Sequence, residues 1–271
     1  MEYVILNNNI KMPVLGFGTY GTSNTYKDVL NALKVGYRLI DTAQWYNNEE
    51  EVGRAIVDSN IDRKEIFITS KTITSGYQET IDGIAKSLEK LKTDYIDLML
   101  IHWPMGNDIE TYKALEYCYK EGKIKAIGLS NFNEEECLNI INNCQVVPAI
   151  NQIETHIFWQ QKKMHKFLRE NKIYHEAYSP FGEGFNNIFE NQTIKEIAKK
   201  YKKTPAQIML KFLIMEDIIV IPKSSKIERM KENIAIFDFT LQEEDINIIR
   251  SLDIKKSCSN WPQSMSIEKN Y

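Results

Sequence analysis

The chain has 271 residues, with 34 basic and 37 acidic side chains giving a formal charge of −3, so no broad attraction to nucleic acid or an anionic membrane is built in. At 43% hydrophobic, 11% aromatic and 26% charged, the composition excludes disorder, collagen and disulfide scaffolds, and leaves two average domains or one large α/β barrel. Cys118, Cys137, Cys144 and Cys258 contain no CxxC pair, so neither a zinc cluster nor a thioredoxin-like motif is written here and reduced thiols are expected.

The opening MEYVILNNNIK lacks the basic region and apolar core of a signal peptide, and no window approaches about 18 uncharged apolar residues. A cytoplasmic chain without a membrane span is expected. Tyr3 to Leu6, the turn-prone Asn7-Asn8-Asn9 and Ile10 to Met12 form a small hairpin suited to plug the bottom of a barrel. Eight β-rich runs follow, at 14–19, 37–43, 66–71, 96–102, 126–131, 149–154, 173–179 and 218–223. They are continuously apolar, as in parallel strands buried on both faces. Between them lie helical patterns. In TIDGIAKSLEKL, Ile81, Ile84, Ala85, Leu88 and Leu91 make an apolar stripe, and Pro205 after Thr204 suits the first turn of a helix reaching about residue 215. Eight units average about 34 residues, near the size of a (β/α)8 TIM barrel. Gly16-Phe17-Gly18-Thr19-Tyr20-Gly21 does not fit a Rossmann fingerprint, because its last glycine is one position early and no strong helix begins there. One α/β barrel domain over 1–271 is the economical reading.

In such a barrel the chemistry sits at the C-terminal ends of the strands. Asp41, Lys71 and His102 terminate the second, third and fourth runs, each after strongly apolar residues, so each is partly desolvated and needs a partner. Asp41 and Lys71 lie on adjacent strands and can pair. Tyr46, five residues beyond Asp41, can reach over the same mouth, where the lysine would lower its phenol pKa from the free value near ~10. Each residue alone has an ordinary structural use, but four of them on one face point to chemistry.

FGTY, DTAQWYNNEEEVG, ITSK, YIDLMLIHWP, GKIKAIGLSNF, PAINQIETH, AYSPFG and IPKSSKIERMKEN, in order from residue 14 to about 250, resemble the successive motifs of the aldo-keto reductase superfamily. The short connection between His102 and Gly122 is similar to that of compact members related to diketogluconate reductases and some prostaglandin F synthases. The resemblance implies NADPH-dependent reduction of small aldehydes or ketones by direct hydride transfer, without metal or covalent intermediate, and a tetrad of Asp41, Tyr46, Lys71 and His102. Tyr46 would donate the proton, Lys71 oriented by Asp41 would assist, and His102 would hydrogen-bond the carbonyl oxygen. It implies a cofactor site of Thr19, Asp41, Ser130, Asn131, Gln152, Tyr178, Ser179, Pro180, Phe181 and Gly182, with Tyr178 stacking on the nicotinamide and the turn at 179–182 meeting the pyrophosphate. Lys223, Ser224, Ser225 and Arg229 would meet the 2′-phosphate region, and Glu232 and Asn233 the adenine, which favours NADPH (or NADP+) over the unphosphorylated form.

By the same resemblance Tyr20, Trp45, Tyr46, His102 and Trp103 line the pocket of a small carbonyl substrate, and a monomer is expected. The chain departs from the family pattern at Ile73, Thr155 and Ile157 and in the tail SCSNWPQSMSIEKNY, which leaves pocket shape open. Two other classes remain: an NADPH-binding regulatory or structural subunit with little turnover, and a non-redox barrel enzyme that binds no NADPH.

Overall fold

A computed structural model describes residues 2–258. It opens on an antiparallel hairpin, β1 (Tyr3–Ile5) with β2 (Lys11–Pro13), whose turn places Asn9 in the left-handed region. Eight parallel strands follow in one sheet, in sequential order: β3 (Phe17–Gly18), β4 (Leu39–Asp41), β5 (Phe67–Thr72), β6 (Ile96–Ile101), β7 (Ile124–Ser130), β8 (Ile150–Glu154), β9 (Tyr174–Tyr178) and β10 (Ile218–Val220). The ends meet: Gly16 N donates to Val220 O at 2.8 Å, Val220 N to Val14 O at 3.0 Å and Gly18 N to Pro222 O at 3.2 Å. This is the expected (β/α)8 barrel.

Two strands are shorter than their apolar runs. Residues 14–19 divide their hydrogen bonds between β10 and β4, so only Phe17–Gly18 pair in regular register. The last run stops at Val220 because Pro222 has no N–H to continue the ladder. Gly18 is required at the seam, since a Cβ there would lie 2.8 Å from Ile221 O.

The crossovers are α1 (Thr25–Val35), α2 (Glu49–Asp58), α3 (Tyr77–Leu91), α4 (Asp108–Lys120), α5 (Glu134–Asn143), α6 (Lys162–Glu170), α7 (Gln192–Tyr201) with α8 (Pro205–Met215), and α9 (Ile227–Ile234) with α10 (Glu243–Arg250). Thr204 and Gln207 cap α8 reciprocally around Pro205, and Asn133 and Glu136 do the same for α5. Residues 227–234, expected only as a ligand-binding pattern, form a helix. None of the helices among the described residues is long and apolar enough to cross a membrane.

Alternation along the strands explains their continuous apolarity. Leu39, Phe67, Leu98, Leu100 and Ile150 fill the barrel interior, while Ile40, Ile68, Met99 and Ile101 face the helices. The hairpin closes the bottom of that interior with Leu6 and Met12. Asn7 and Asn8 fasten it there, donating to Pro148 O and Lys125 O, each at 2.9 Å, at the N-terminal ends of β8 and β7. The same alternation carries to the other end. Asp41 follows inward Leu39 by two, Lys71 follows Phe67 by four and His102 follows Leu100 by two, so three polar side chains form the top of the interior.

Candidate active site

Lys71 is completely buried and its ammonium meets three acceptors: Asp41 Oδ1 at 2.6 Å, Thr42 O at 2.9 Å and Tyr46 OH at 3.3 Å. Burial works against its charge, but Asp41 and Tyr46 outweigh that and hold its pKa above the ordinary lysine value. Tyr46 arrives on a single 3-10 turn, Gln44–Tyr46, directly after β4. Its phenol differs from expectation: burial pushes it up to about 12, against the downward pull of Lys71. The lysine limits the rise without reversing it, and Tyr46 stays protonated through the neutral range.

His102, just beyond β6, packs edge-on to Tyr46 with ring centroids 5.7 Å apart and stacks on Trp103 at 3.8 Å. Burial first, then Lys71, lowers its pKa well below the usual imidazole value, so the ring is neutral near pH 7. Its buried Nδ1 has no hydrogen-bond partner among the described residues.

Asp41, Tyr46 and His102 floor a cavity of about 390 Å³, with Lys71 buried behind them, and Tyr20, Trp45, Trp103, Ser130, Asn131, Gln152 and Tyr178 also line it. Tyr20 and Trp45 stack at 6.0 Å and remain 49% and 41% exposed, forming an outer wall of the mouth, whereas Trp103 is buried. Ser179, Pro180, Phe181 and Lys223 complete the rim together with Gly18, Gly21, Glu183 and Ile221, four residues absent from the expected set. Asn131 gives its amide hydrogens to His102 O at 3.0 Å and Ser130 Oγ at 3.1 Å. Gln152 gives both of its hydrogens to carboxylates, Asp41 Oδ2 at 2.8 Å and Glu176 Oε2 at 2.9 Å, so toward a ligand amide Gln152 can only accept. Ser130, Asn131, Gln152, Tyr178 and Lys223 thus offer the amide acceptors, the aromatic face and the cation that a nicotinamide nucleotide requires.

The other expected contacts lie outside this cavity. The Thr19 hydroxyl is buried and donates to Asp41 O at 2.9 Å, which makes it a brace for the strand end. Ser224 Oγ accepts from Lys226 N at 3.1 Å at the start of α9, Ser225 and Arg229 are exposed, and Asn233 is buried. Glu232 is engaged by Thr204, whose hydroxyl donates at 2.7 Å. Gly182 lies behind the rim with φ +51, and a Cβ there would come within 3.3 Å of the His156 ring.

Of the departures from the family pattern, Ile73 is exposed, Thr155 and Ile157 are fully buried, and none lines the cavity. Thr155 Oγ1 lies 2.7 Å from His175 Nε2. The tail is described only to Cys258, where Ser257 Oγ and Cys258 N donate to Glu154 at 2.6 and 2.7 Å. Tail residues 259–271 lie outside the described residues. Glu154, His156 and Cys258 cluster closely enough to suggest a metal site. However, His156 Nδ1 accepts from Phe158 N at 3.3 Å, which assigns the proton to Nε2, 3.0 Å from Glu154 Oε1. The nitrogen a metal would need is therefore a donor to Glu154.

Sequence reasoning missed Glu176, which is fully buried in mid-strand on β9. An acidic residue inside the run IYHEAYS was its available signal.

A parallel barrel with an ion pair, a phenol and an imidazole at the C-terminal strand ends defines a class of barrel oxidoreductase. The chain belongs to the aldo/keto reductase family, whose model matches residues 14–254. It is 41% identical to the glyoxal reductase of Bacillus subtilis (strain 168) over 259 residues, 93% of each chain. Among solved structures, it is similar to an aldo-keto reductase from a Medee basin deep-sea metagenome library, with TM-score 0.92, 47% identity and coverage of 94% of this chain and 96% of that one. It is also similar to the Bombyx mori aldo-keto reductase in complex with NADP, with TM-score 0.91, 30% identity and coverage of 96% and 95%. Family membership makes the chain a carbonyl-reducing oxidoreductase.

Proposed function

We propose that this protein reduces small aldehydes and ketones with NADPH, with α-oxoaldehydes such as glyoxal, the substrate in its Bacillus relative's name, among them. The observation that carries the reading is Lys71 Nζ, held between Asp41 Oδ1 at 2.6 Å and Tyr46 OH at 3.3 Å, behind the Asp41, Tyr46 and His102 side chains that line the cavity. When bound, the cofactor supplies hydride to the carbonyl carbon. Tyr46 OH then gives its proton to the carbonyl oxygen as negative charge develops there, and the Lys71 ammonium stabilises the phenolate left behind. Neutral His102 donates a hydrogen bond to the same oxygen and orients the carbonyl. Asp41 keeps Lys71 charged and fixed.

Gln152 Oε1, Asn131 and Ser130 would hold the carboxamide, Tyr178 would offer its ring to the nicotinamide, and the backbone of 179–182 would meet the pyrophosphate. Lys223, Ser224 and Arg229 would take the 2′-phosphate; the NADP complex of the Bombyx relative supports this choice of cofactor. Glu232 accepts from Thr204 through Oε1, which leaves Oε2 for the adenine. Tyr20, Trp45 and Trp103 give the substrate an aromatic wall suited to flat carbonyl compounds.

The test is Tyr46→Phe, assayed by NADPH consumption with glyoxal and by fluorescence titration of NADPH. Turnover is expected to fall at least about a thousandfold with NADPH affinity within about threefold, in line with loss of a general acid. Near-wild-type turnover would refute the assigned donor.

A further inference from the structure

Glu176 is the buried carboxyl that the proposed reaction does not use. It sits in mid-strand on β9, fully buried, facing the barrel interior beneath the tetrad. Its β10 register partner is apolar Ile219 and its β8 partner is Gln152. The charged groups that face it are Asp41 on β4 and Lys71 on β5, while His175, its neighbour on β9, bonds to Thr155 and His165 instead. One nitrogen, Gln152 Nε2, joins the two acids, at 2.8 Å from Asp41 Oδ2 and 2.9 Å from Glu176 Oε2.

The charge count decides how the two acids share this site. One buried cation, Lys71, faces two carboxyl groups, and ionising both leaves a net negative charge without water to solvate it. Asp41 touches the ammonium directly and Glu176 does not. Glu176 Oε1 is moreover buried with no hydrogen-bond partner among the described residues. An unpartnered carboxylate oxygen is far more costly there than an unpartnered hydroxyl.

Resting on the reductase reading, we propose that Glu176 is a positioning residue that works as a neutral carboxylic acid. Its carbonyl oxygen Oε2 accepts one Gln152 hydrogen, Oε1 carries the proton, and the other Gln152 hydrogen is thereby aimed at Asp41. Glu176 thus orients the acid that orients Lys71, and keeps the buried cluster at one positive and one negative charge. When Glu176 loses its proton, the added negative charge opposes the phenolate that forms on Tyr46 as the proton is transferred, and reduction slows. Burial first and the Asp41 charge second push the Glu176 pKa up to about 8, which sets that loss on the alkaline side of neutrality.

The experiment compares wild type with Glu176→Gln, which is never charged, in two measurements. Infrared difference spectra of the protein between about pH 7 and about pH 9.5 need no turnover; they are expected to show a protonated-carboxyl band lost at the higher pH in wild type and absent from E176Q. The ratio of variant to wild-type kcat, with NADPH and glyoxal, is expected to rise at least about threefold over the same range, because only wild type acquires the charge. A band that persists in E176Q, no such band in wild type at neutral pH, or a flat kcat ratio overturns the proposal. If wild type reduces no small carbonyl compound with NADPH, the reductase reading fails and the positioning role with it. The infrared comparison still decides where the proton resides.

Discussion

Tyr178 donates its hydroxyl to Asn131 Oδ1 at 2.9 Å, tying the C-terminal end of β9 to the residue after β7 across the intervening strand. Asn131 is itself fixed through His102 O and Ser130 Oγ, so the aromatic ring over the cavity is oriented by a chain of bonds that begins at the proposed catalytic histidine. Tyr178→Phe keeps the ring and removes the tether. A hydrogen bond of this kind contributes about 1 kcal/mol, so NADPH affinity is expected to fall about fivefold. Tyr178→Ala, which loses the ring as well, is expected to weaken binding by a further tenfold or so. Fluorescence titration of both variants checks the order, and equal losses would remove any separate contribution from the hydroxyl.

Lys71→Met leaves Asp41 buried at the cavity floor without its cation. Breaking a buried ion pair from one side is expected to lower stability by about 3–5 kcal/mol, read from urea unfolding. Reduction is expected to fall at least about a hundredfold as Tyr46 loses the adjacent cation. The double variant Asp41→Asn/Lys71→Met removes both charges and is expected to recover a large part of the stability and none of the activity. Recovery of turnover would show that the ion pair acts as scaffold alone.

Stability should depend on pH through the buried histidines. Burial lowers the pKa of His102 and of His175 well below the ordinary value, so below about pH 6.5 the unfolded chain binds protons that the folded chain refuses. Well below that pH each histidine removes roughly 1.4 kcal/mol of stability per pH unit of acidification, and about half that slope at pH 6.5 itself. Glu176, with its folded pKa raised to about 8, acts in the opposite sense. The folded chain keeps its proton where the unfolded chain has lost it, so stability from this group falls as pH rises. Between about pH 6.5 and 5.5 the two histidines remove about 1 kcal/mol each and Glu176 returns about 1.3, a net loss on the order of 0.7 kcal/mol to which His165, also lowered by burial, adds. Urea midpoints at those two pH values test it, and a higher midpoint at the lower pH contradicts the assignment.

Asp41, Lys71 and His102 were legible because each ends an apolar run, and the alternation that puts leucines inside the barrel puts the next inward residues at its top. The hairpin plug was legible from three asparagines between two short apolar runs. Glu176 was not, because in mid-strand it shares the parity of the core, and only the assembled barrel shows that Gln152 on the neighbouring strand links it to Asp41 across the interior. The seam at Gly18 is hidden for a related reason: its close contact is with Ile221, just beyond the last strand of the barrel. Glycines and prolines mark local turns well, but carry no label for which distant backbone they must admit.

The tail anchor was equally hidden, since Ser257 reaches a carboxylate 103 residues earlier. Burial works against ionisation of Glu154, yet hydrogen bonds from His156, Ser257 and Cys258 outweigh it and hold the pKa at about 2. Glu154→Gln turns one charged acceptor group into an amide that presents a single acceptor oxygen. The Cys258 amide is expected to exchange its hydrogen at least about tenfold faster, since bonds to a charged group contribute about 1.5–3 kcal/mol. Hydrogen exchange followed by mass spectrometry resolves this segment, and unchanged protection would mean that other contacts hold the tail.

Lys223 on the cavity rim and Arg229 on α9 are exposed cations, and in the proposed function they take the 2′-phosphate of the cofactor. NADPH and NADH differ by one phosphate, so the two residues should matter for one cofactor and hardly for the other. Charge-assisted bonds contribute about 1.5–3 kcal/mol, so Arg229→Ala is expected to weaken NADPH binding by roughly tenfold to a hundredfold and NADH binding by less than about twofold. Arg229→Lys keeps the charge but not the planar fork, and is expected to recover only part of the loss. Parallel fluorescence titrations with both cofactors decide the matter. Equal weakening for NADPH and NADH would place the effect of Arg229 on α9 itself, and comparable wild-type affinities for the two cofactors would remove the proposed 2′-phosphate site.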